Sequence, residues 1–313
     1  LIVVQNKKLL GTLSDGDLRK AIIKGVSLKT KIINLYNKNP ITLSIKKFNS
    51  ETAKKLFLKN HIDFIPVINN NNELIDIIYW ETEIQNIKKV LKNHVVIMAG
   101  GKGTRLLPFT QVLPKPLIPI GENTVIENII NKFYNYGIKN YHFIVNYKSK
   151  ILKAYFEELK PKYNYEFINE VKPLGTIGGI KKLKNKFKND FFVTNCDIVV
   201  DADYEDIVKF HKLNKNDITI IVSTKAQILP YGVCRIDKNG IFDELIEKPE
   251  LDFLINVGLY VIKPSILNLI PSNTYFDFPD LIKVAKNKNK KIGIYPIYDN
   301  KWFDIGQWSE YKK

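Results

Sequence analysis

The string Val95-Val96-Ile97-Met98-Ala99-Gly100-Gly101-Lys102-Gly103 constrains this chain more than any other stretch. Its apolar start has the length and branching of a buried strand, and the glycines end it abruptly. Without a Cβ, glycine lets the backbone take positive φ and bring N–H groups close to a ligand. Successive amides in such a turn can hydrogen-bond phosphate oxygens. Arg105 and Lys115 then place fixed positive charge just downstream. The spacing excludes two common phosphate-binding turns. A Walker A loop needs Gly-Lys-Ser/Thr at its end, and a dinucleotide fingerprint needs G-x-G-x-x-G opening directly into a helix.

After Pro119 helical and strand patterns alternate. Val125 to Tyr136 has apolar residues at helical spacing and stops at Gly137; Tyr141 to Val145 reads as a strand, and Ser149 to Leu159 as a helix closed by Pro161. Asp190 to Asn195, Asp217 to Thr224 and Tyr231 to Ile236 read as further strands. Repeated βα units of this kind predict a largely parallel, doubly wound sheet. Asp197 then falls just past the carboxyl end of a buried strand, where such sheets bind ligands. Cys196 beside it reads as a small buried residue rather than a nucleophile, because no histidine lies nearby to activate it.

Read on to Pro119, the opening string resembles the sugar-1-phosphate nucleotidyltransferase family. Its G-G-x-G-T-R-L-x-P-x-T followed by K-P is matched by Gly100, Gly101, Gly103, Thr104, Arg105, Leu106, Pro108, Thr110, Lys115 and Pro116. Further matches run to residue 311. Glu170 to Gly179 resembles the family loop E-x-x-P-L-G-T-A-G, which closes over the nucleotide base and leads into a helix; Ile177 stands where alanine is usual. Tyr231-Gly232-Val233, Glu247-Lys248-Pro249 and Asn256-Val257-Gly258 resemble the elements that hold the sugar phosphate. Asp197 and the Asp304-Ile305-Gly306-Gln307-Trp308 motif resemble the pair that holds Mg²⁺.

The resemblance implies roles for these residues. Ala99, Gly100, Gly101, Gly103, Thr104, Arg105, Lys115, Glu170, Leu174, Gly175 and Thr176 bind the nucleotide. Arg105, Lys115 and Asp197 are the catalytic set, with Lys115 at the transferred phosphoryl group. Gly232, Glu247, Lys248, Asn256 and Gly258 take the sugar phosphate, and Asp197 and Asp304 the metal. Singly, each aspartate also reads as a turn or cap residue, Lys248 as a surface lysine and Glu247 as a turn carboxylate.

The first 92 residues carry a partial repeat at an offset of 65: Leu1-Ile2-Val3 falls on Pro66-Val67-Ile68, Leu9-Leu10 on Leu74-Ile75, and Gly11 to Leu18 on Asp76 to Glu83. Each copy reads as strand, turn, strand, helix. The second has an upstream half, Asn39 to Leu43 and a helical Ser50 to Asn60, so the first is expected to be cut short by about 25 residues. The tandem resembles a CBS-domain pair, in which adenine nucleotides bind between repeats and a Ser/Thr-x-x-Asp contacts ribose. Ser14 and Asp17 match, whereas Tyr79 and Thr82 do not, which implies at most one adenine-nucleotide site. The alternative is a dimerising scaffold in which Asp17 caps a helix beginning near Leu18. Ile84 to Asn93 reads as a helical connector.

The expected organisation is thus a smaller α+β CBS-domain pair over 1–92 and a Rossmann-like, doubly wound α/β domain with a mixed sheet over 93–313, ending too soon after Trp308 for a β-helix or acyltransferase domain. With two cysteines, four histidines and no C-x-x-C or H-x-x-x-H spacing, neither a disulfide framework nor structural zinc is expected. No apolar run approaches ~18 residues and no export leader is visible, so a cytoplasmic protein without membrane contact is expected. The formal charge of +16 comes from lysines spread along the chain, not from one basic, aromatic-interleaved patch. That argues against nucleic acid and for a surface that attracts anionic substrates.

By resemblance the function is Mg²⁺-dependent nucleotidyl transfer, with GTP favoured, to a sugar 1-phosphate, in a homodimer built through the repeats. Lys115 to Ile118 followed by Gly121-Glu122-Asn123-Thr124 looks more like guanylyltransferases for mannose- or heptose-type phosphates than like thymidylyl or uridylyl enzymes. Members fused to CBS repeats resemble the glucosamine-1-phosphate guanylyltransferases that start bacterial legionaminic acid synthesis. A different class stays open, a CBS-based nucleotide sensor with an inactive transferase module. A dead module is free to lose Arg105, Lys115, Asp197 or Asp304, and all four are present.

Overall fold

The computed structural model describes residues 1–27, 30–47, 52, 53, 56, 57, 60, 62, 64–79 and 90–306. It divides the chain into two compact units, Leu1–Lys88 and Lys89–Lys313. Thr82, most of the Ile84–Asn93 connector, Gln307 and Trp308 lie outside the described residues. Of the helix read over Ser50–Asn60, Thr52, Ala53, Leu56, Phe57 and Asn60 are described, all as helical. Among the described residues no helix is long and apolar enough to cross a membrane.

In the first unit, Ile2–Gln5 (β1) and Lys8–Thr12 (β2) pair antiparallel. Leu43–Ser44 (β3), Phe64–Ile68 (β4) and Leu74–Tyr79 (β5) make a separate sheet, with β3 parallel and β5 antiparallel to β4. Both copies of the repeat therefore contain strand, turn, strand. The second copy has a small core of its own, formed by Leu43, Ala53, Phe57, Ile65, Val67 and Ile78. The helix after β2 spans Asp15–Ile23, so it starts before Leu18 and its cap is Ser14, not Asp17. The reason is a reciprocal capping box: the Asp17 amide donates to Ser14 Oγ at 3.2 Å, and the Ser14 amide to the Asp17 carboxylate at 2.9 Å.

The second unit is built on a seven-stranded mixed sheet. Its strands are His94–Ala99 (β6), Asn140–Val145 (β9), Asn164–Asn169 (β10), Phe191–Asn195 (β11), Ile218–Ile228 (β13), Glu250–Ile262 (β16) and Ile292–Ile297 (β17). Short pairs complete it: Pro119–Ile120 with Asn123–Thr124 (β7, β8), Ile198–Val200 with Trp302–Asp304 (β12, β18), and Val233–Ile236 with Phe242–Ile246 (β14, β15). The sheet order is β10-β9-β6-β11-β16-β13-β17, with β16 antiparallel to both its neighbours.

Alternation along β6 shows why the domain has helices on both faces. Val95, Ile97 and Ala99 enter one core with Phe133, Phe156 and Tyr204 from the helices Val125–Tyr134, Ser149–Leu159 and Tyr204–Leu213. Val96 points the other way, to Ile180, Leu183, Phe278 and Leu281. Successive side chains of a strand leave on opposite faces, so an unbroken apolar run needs cover on both sides. Each such side chain, fully buried, contributes roughly 1.5–3 kcal/mol.

The chain passes from β6 to β9 and β10 on one side, then returns to β11 on the other. The reversal beside β6 leaves a crevice at the carboxyl ends, which is where such sheets bind ligands. The segment after the Glu170 loop is helical as read, a 3-10 helix over Gly178–Leu183. The strand read from Tyr231 begins at Val233.

Candidate active site

Three charged side chains meet at the carboxyl end of β11. Lys115 lies in the 3-10 turn Lys115–Leu117, Asp197 follows β11, and Asp304 ends β18, whose pairing with β12 sets Asp304 opposite Ile198. The Lys115 ammonium donates to Asp197 Oδ2, and both residues are buried. Gly306 makes room for the group. A Cβ there would stand 2.7 Å from Asp197 Oδ2, 2.8 Å from Asp304 Oδ1 and 2.9 Å from Lys115 Nζ. Any larger residue would fill the point on which the three converge. The Ile305 amide donates to the Asp197 carbonyl at 2.9 Å and the Gly306 amide to Asp304 Oδ1 at 2.8 Å, which fixes the motif against β11.

The glycine turn packs directly on this cluster. Gly103 has a φ of +66°, and a Cβ on it would meet Thr110 Cγ2 at 2.9 Å and Lys115 Cβ at 3.2 Å. The Thr110 hydroxyl donates to the Gly103 carbonyl at 3.0 Å. Ala99 is buried at the end of β6, and Gly101, Thr104 and Arg105 are exposed, free of the core and facing water. Cys196 is buried, and burial, with the Asp197 carboxylate adding to it, pushes its thiol up to about 12, which disfavours the thiolate that a nucleophile needs.

Glu170 comes to the turn from β10. It is buried, its carboxylate lies between Gly100 and Gly179, and its Oε1 has no hydrogen-bond partner among the described residues. Burial raises its carboxyl above the ordinary glutamate range, against the lowering effect of the Leu174 amide and Lys182. The Asn146 side-chain amide, after β9, donates to the Glu170 carbonyl at 2.8 Å and sits under Gly100. Ile177 is fully buried in the core, so the bulk that replaces alanine points away from the cleft.

The residues read as sugar-phosphate contacts fall in two places. On β16, the Gly258 amide donates to Asn256 Oδ1 at 2.9 Å, and Gly258, with φ +79°, lies against Asn195 Nδ2. On the β14–β15 hairpin, a Cβ on Gly232 would meet Glu247 Oε2 at 3.0 Å, and Lys248 is exposed with a φ of +45°. Motif reading missed Asn146, Asn195 and the space-making role of Gly306. The last had a signal in the D-x-G motif; the two asparagines had none.

Among the described residues no group of three or more His, Cys, Asp or Glu gathers around a metal position. The Asp197 and Asp304 carboxylates around an empty glycine edge nevertheless fit a hard cation that takes one or two carboxylates and fills its shell with water and phosphate.

Fold and site together define a doubly wound α/β domain with a charged, glycine-lined cleft at its carboxyl edge. The chain belongs to the nucleotidyl transferase family, whose description matches residues 94–313. The mannose-1-phosphate guanyltransferases of Debaryomyces hansenii and Yarrowia lipolytica are 31% and 32% identical to it over 226 residues, 68% of this chain and 60% of each relative. The chain thus spans less than two thirds of those relatives' length. The crystal structure of HddC from Yersinia pseudotuberculosis with GMP-PN shares the fold, at TM-score 0.55 and 24% identity over 70% of this chain and 96% of that one.

Proposed function

We propose that this chain joins a nucleoside triphosphate to a sugar 1-phosphate and releases pyrophosphate. The observation that carries the reading is the meeting of Lys115, Asp197 and Asp304 around Gly306, beside the glycine turn. A phosphate oxygen of the sugar phosphate attacks the α-phosphorus in line. The new P–O bond forms as the bond from the α-phosphorus to the bridging oxygen breaks, and pyrophosphate leaves with that electron pair. No enzyme nucleophile is needed, and catalysis reduces to positioning and charge neutralisation.

In this reading the turn amides and Arg105 hold the triphosphate, and Lys115 stabilises charge developing at the transferred phosphoryl group. Asn256, Gly258, Gly232, Glu247 and Lys248 receive the sugar phosphate. Asp197 and Asp304 would hold Mg²⁺, which when bound neutralises charge on phosphate oxygens. The donor is GTP. A guanine edge offers two neighbouring N–H donors to a carboxylate, and Glu170 Oε1 lacks a partner among the described residues. The guanyltransferase relatives and the GMP-PN-bound likeness support the same base. For the acceptor, the relatives support mannose 1-phosphate, and the resemblance of the chain to CBS-fused guanylyltransferases supports glucosamine 1-phosphate.

Asp197→Asn and Asp304→Asn should each abolish Mg²⁺-dependent pyrophosphate release while leaving the fold intact by circular dichroism. Lys115→Ala should lower kcat by ~10²-fold or more with little change in KM, because its charge acts in the transition state. Near-normal turnover in either aspartate variant would remove the metal assignment, and a pure KM effect would make Lys115 a ground-state binder.

A further inference from the structure

The Leu174-Gly175-Thr176 loop does not hold its own shape. It is tied to a segment about a hundred residues further along the chain. The Thr176 amide donates to Asp277 Oδ1 at 2.8 Å, and the Phe278 amide donates to Thr176 Oγ1 at 2.9 Å. The Phe276 amide donates to the Leu174 carbonyl at 3.0 Å, and the Ile177 and Gly178 amides to the Phe276 carbonyl at 3.2 and 3.1 Å. Asp277 is the N-cap of the helix Phe278–Asn287, yet its side chain makes no cap bond to that helix. The helix and the loop have exchanged caps. Thr176 satisfies the first helical amide, and the carboxylate that would ordinarily do such work satisfies the loop.

The far side of the strap is well packed. Phe278 stacks on Tyr260 with ring centroids 3.5 Å apart, and the Tyr260 hydroxyl accepts from Asn256 Nδ2 at 2.8 Å. The near side has no slack: Gly175 has a φ of +81°, and a Cβ on it would stand 2.7 Å from the Phe276 carbonyl and 2.8 Å from Asp277 Oδ1. Burial alone would raise the Asp277 carboxyl, but bonds from the Thr176 amide, Tyr275 and the Thr176 hydroxyl hold it below the ordinary aspartate range.

We propose that Asp277 is a positioning residue for the nucleotide, holding the Leu174–Thr176 backbone in its binding shape through the exchanged cap with Thr176. The proposal rests on the reading of this loop as part of the nucleotide site. It touches no reacting atom and so should act on nucleotide binding and not on the chemical step.

Calorimetric titration with GTP and Mg²⁺, with steady-state kinetics beside it, tests this on the whole chain. Asp277→Ala should weaken GTP binding and raise its KM about 5–10-fold, with kcat at saturating GTP nearly unchanged, as loss of one or two hydrogen bonds implies. Asp277→Asn keeps an acceptor oxygen for Thr176 and should restore most of the affinity, which a merely structural defect would not show. Gly175→Ala, which pushes the loop off from its own side, should reproduce the loss if Asp277→Ala folds poorly. Wild-type affinity in Asp277→Ala, or no rescue by asparagine, overturns the proposal alone. Absence of GTP binding by the wild type overturns the nucleotide reading of the loop and the proposal with it.

Discussion

Glu170 stands in an environment its side chain type ordinarily avoids. Its carboxyl is raised by burial, so the folded protein binds a proton there more readily than the unfolded chain does. Stability therefore falls as pH rises from the ordinary glutamate value through the raised one, and the cost is fully present above both. Glu170→Gln should therefore melt higher than wild type at pH 8. The gain should vanish at a pH below the ordinary glutamate range, and thermal scans at the two pH values check it. An equal difference at both would show that the burial of charge is not the cause. Residues of this kind divide by how their chemistry is written in the chain. Gly100, Gly103 and Lys115 belong to one contiguous string and were legible. Gly306 was signalled by its D-x-G motif, though the space it makes appears only where it lies against Asp197 and Lys115, and Asp277 acquires its role by meeting Thr176 across 101 positions, which no local pattern could show.

At the scale of elements, strand reading was most secure where apolar runs are long and buried on both faces, as in β6, β9 and β11. It was weakest where one end projects from the sheet. β13 extends to Ile228 and pairs with β16 as far as Ile228↔Glu250, beyond the apolar stretch that marks its core portion. The helix after β2 shows a different limit. An Asp at the fourth position of Ser-x-x-Asp is compatible with a cap, a ribose contact or the third residue of a capping box, and only coordinates separate the first from the last. Since the Asp17 carboxylate also accepts from the Ser14 hydroxyl at 2.7 Å, Asp17→Ala should destabilise the first unit by about 0.5–2 kcal/mol with no ligand present. Denaturant titration reads that loss. A calorimetric titration of the wild type with AMP and ATP decides separately whether the same pair holds ribose: saturable binding that Asp17→Ala abolishes would establish it, and no saturable binding would leave Ser14 and Asp17 as a cap.

For the whole molecule, the doubly wound domain suits the proposed phosphate chemistry, which asks little of covalent catalysis and much of charge. A net charge of +16 spread along the chain suits the anionic substrates proposed above. Base and sugar were not legible in the motifs, because a motif names residue types and not the shape of the space that they line. The most direct measurement is pyrophosphate release with Mg²⁺ from GTP, ATP, UTP and dTTP, each against mannose 1-phosphate, glucosamine 1-phosphate and a heptose 1-phosphate. The account predicts turnover with GTP and at least one of these acceptors, well above every other triphosphate, and its loss in Asp197→Asn. Turnover with UTP or dTTP in preference to GTP would contradict the guanine reading, and no pyrophosphate from any pair would contradict the enzyme.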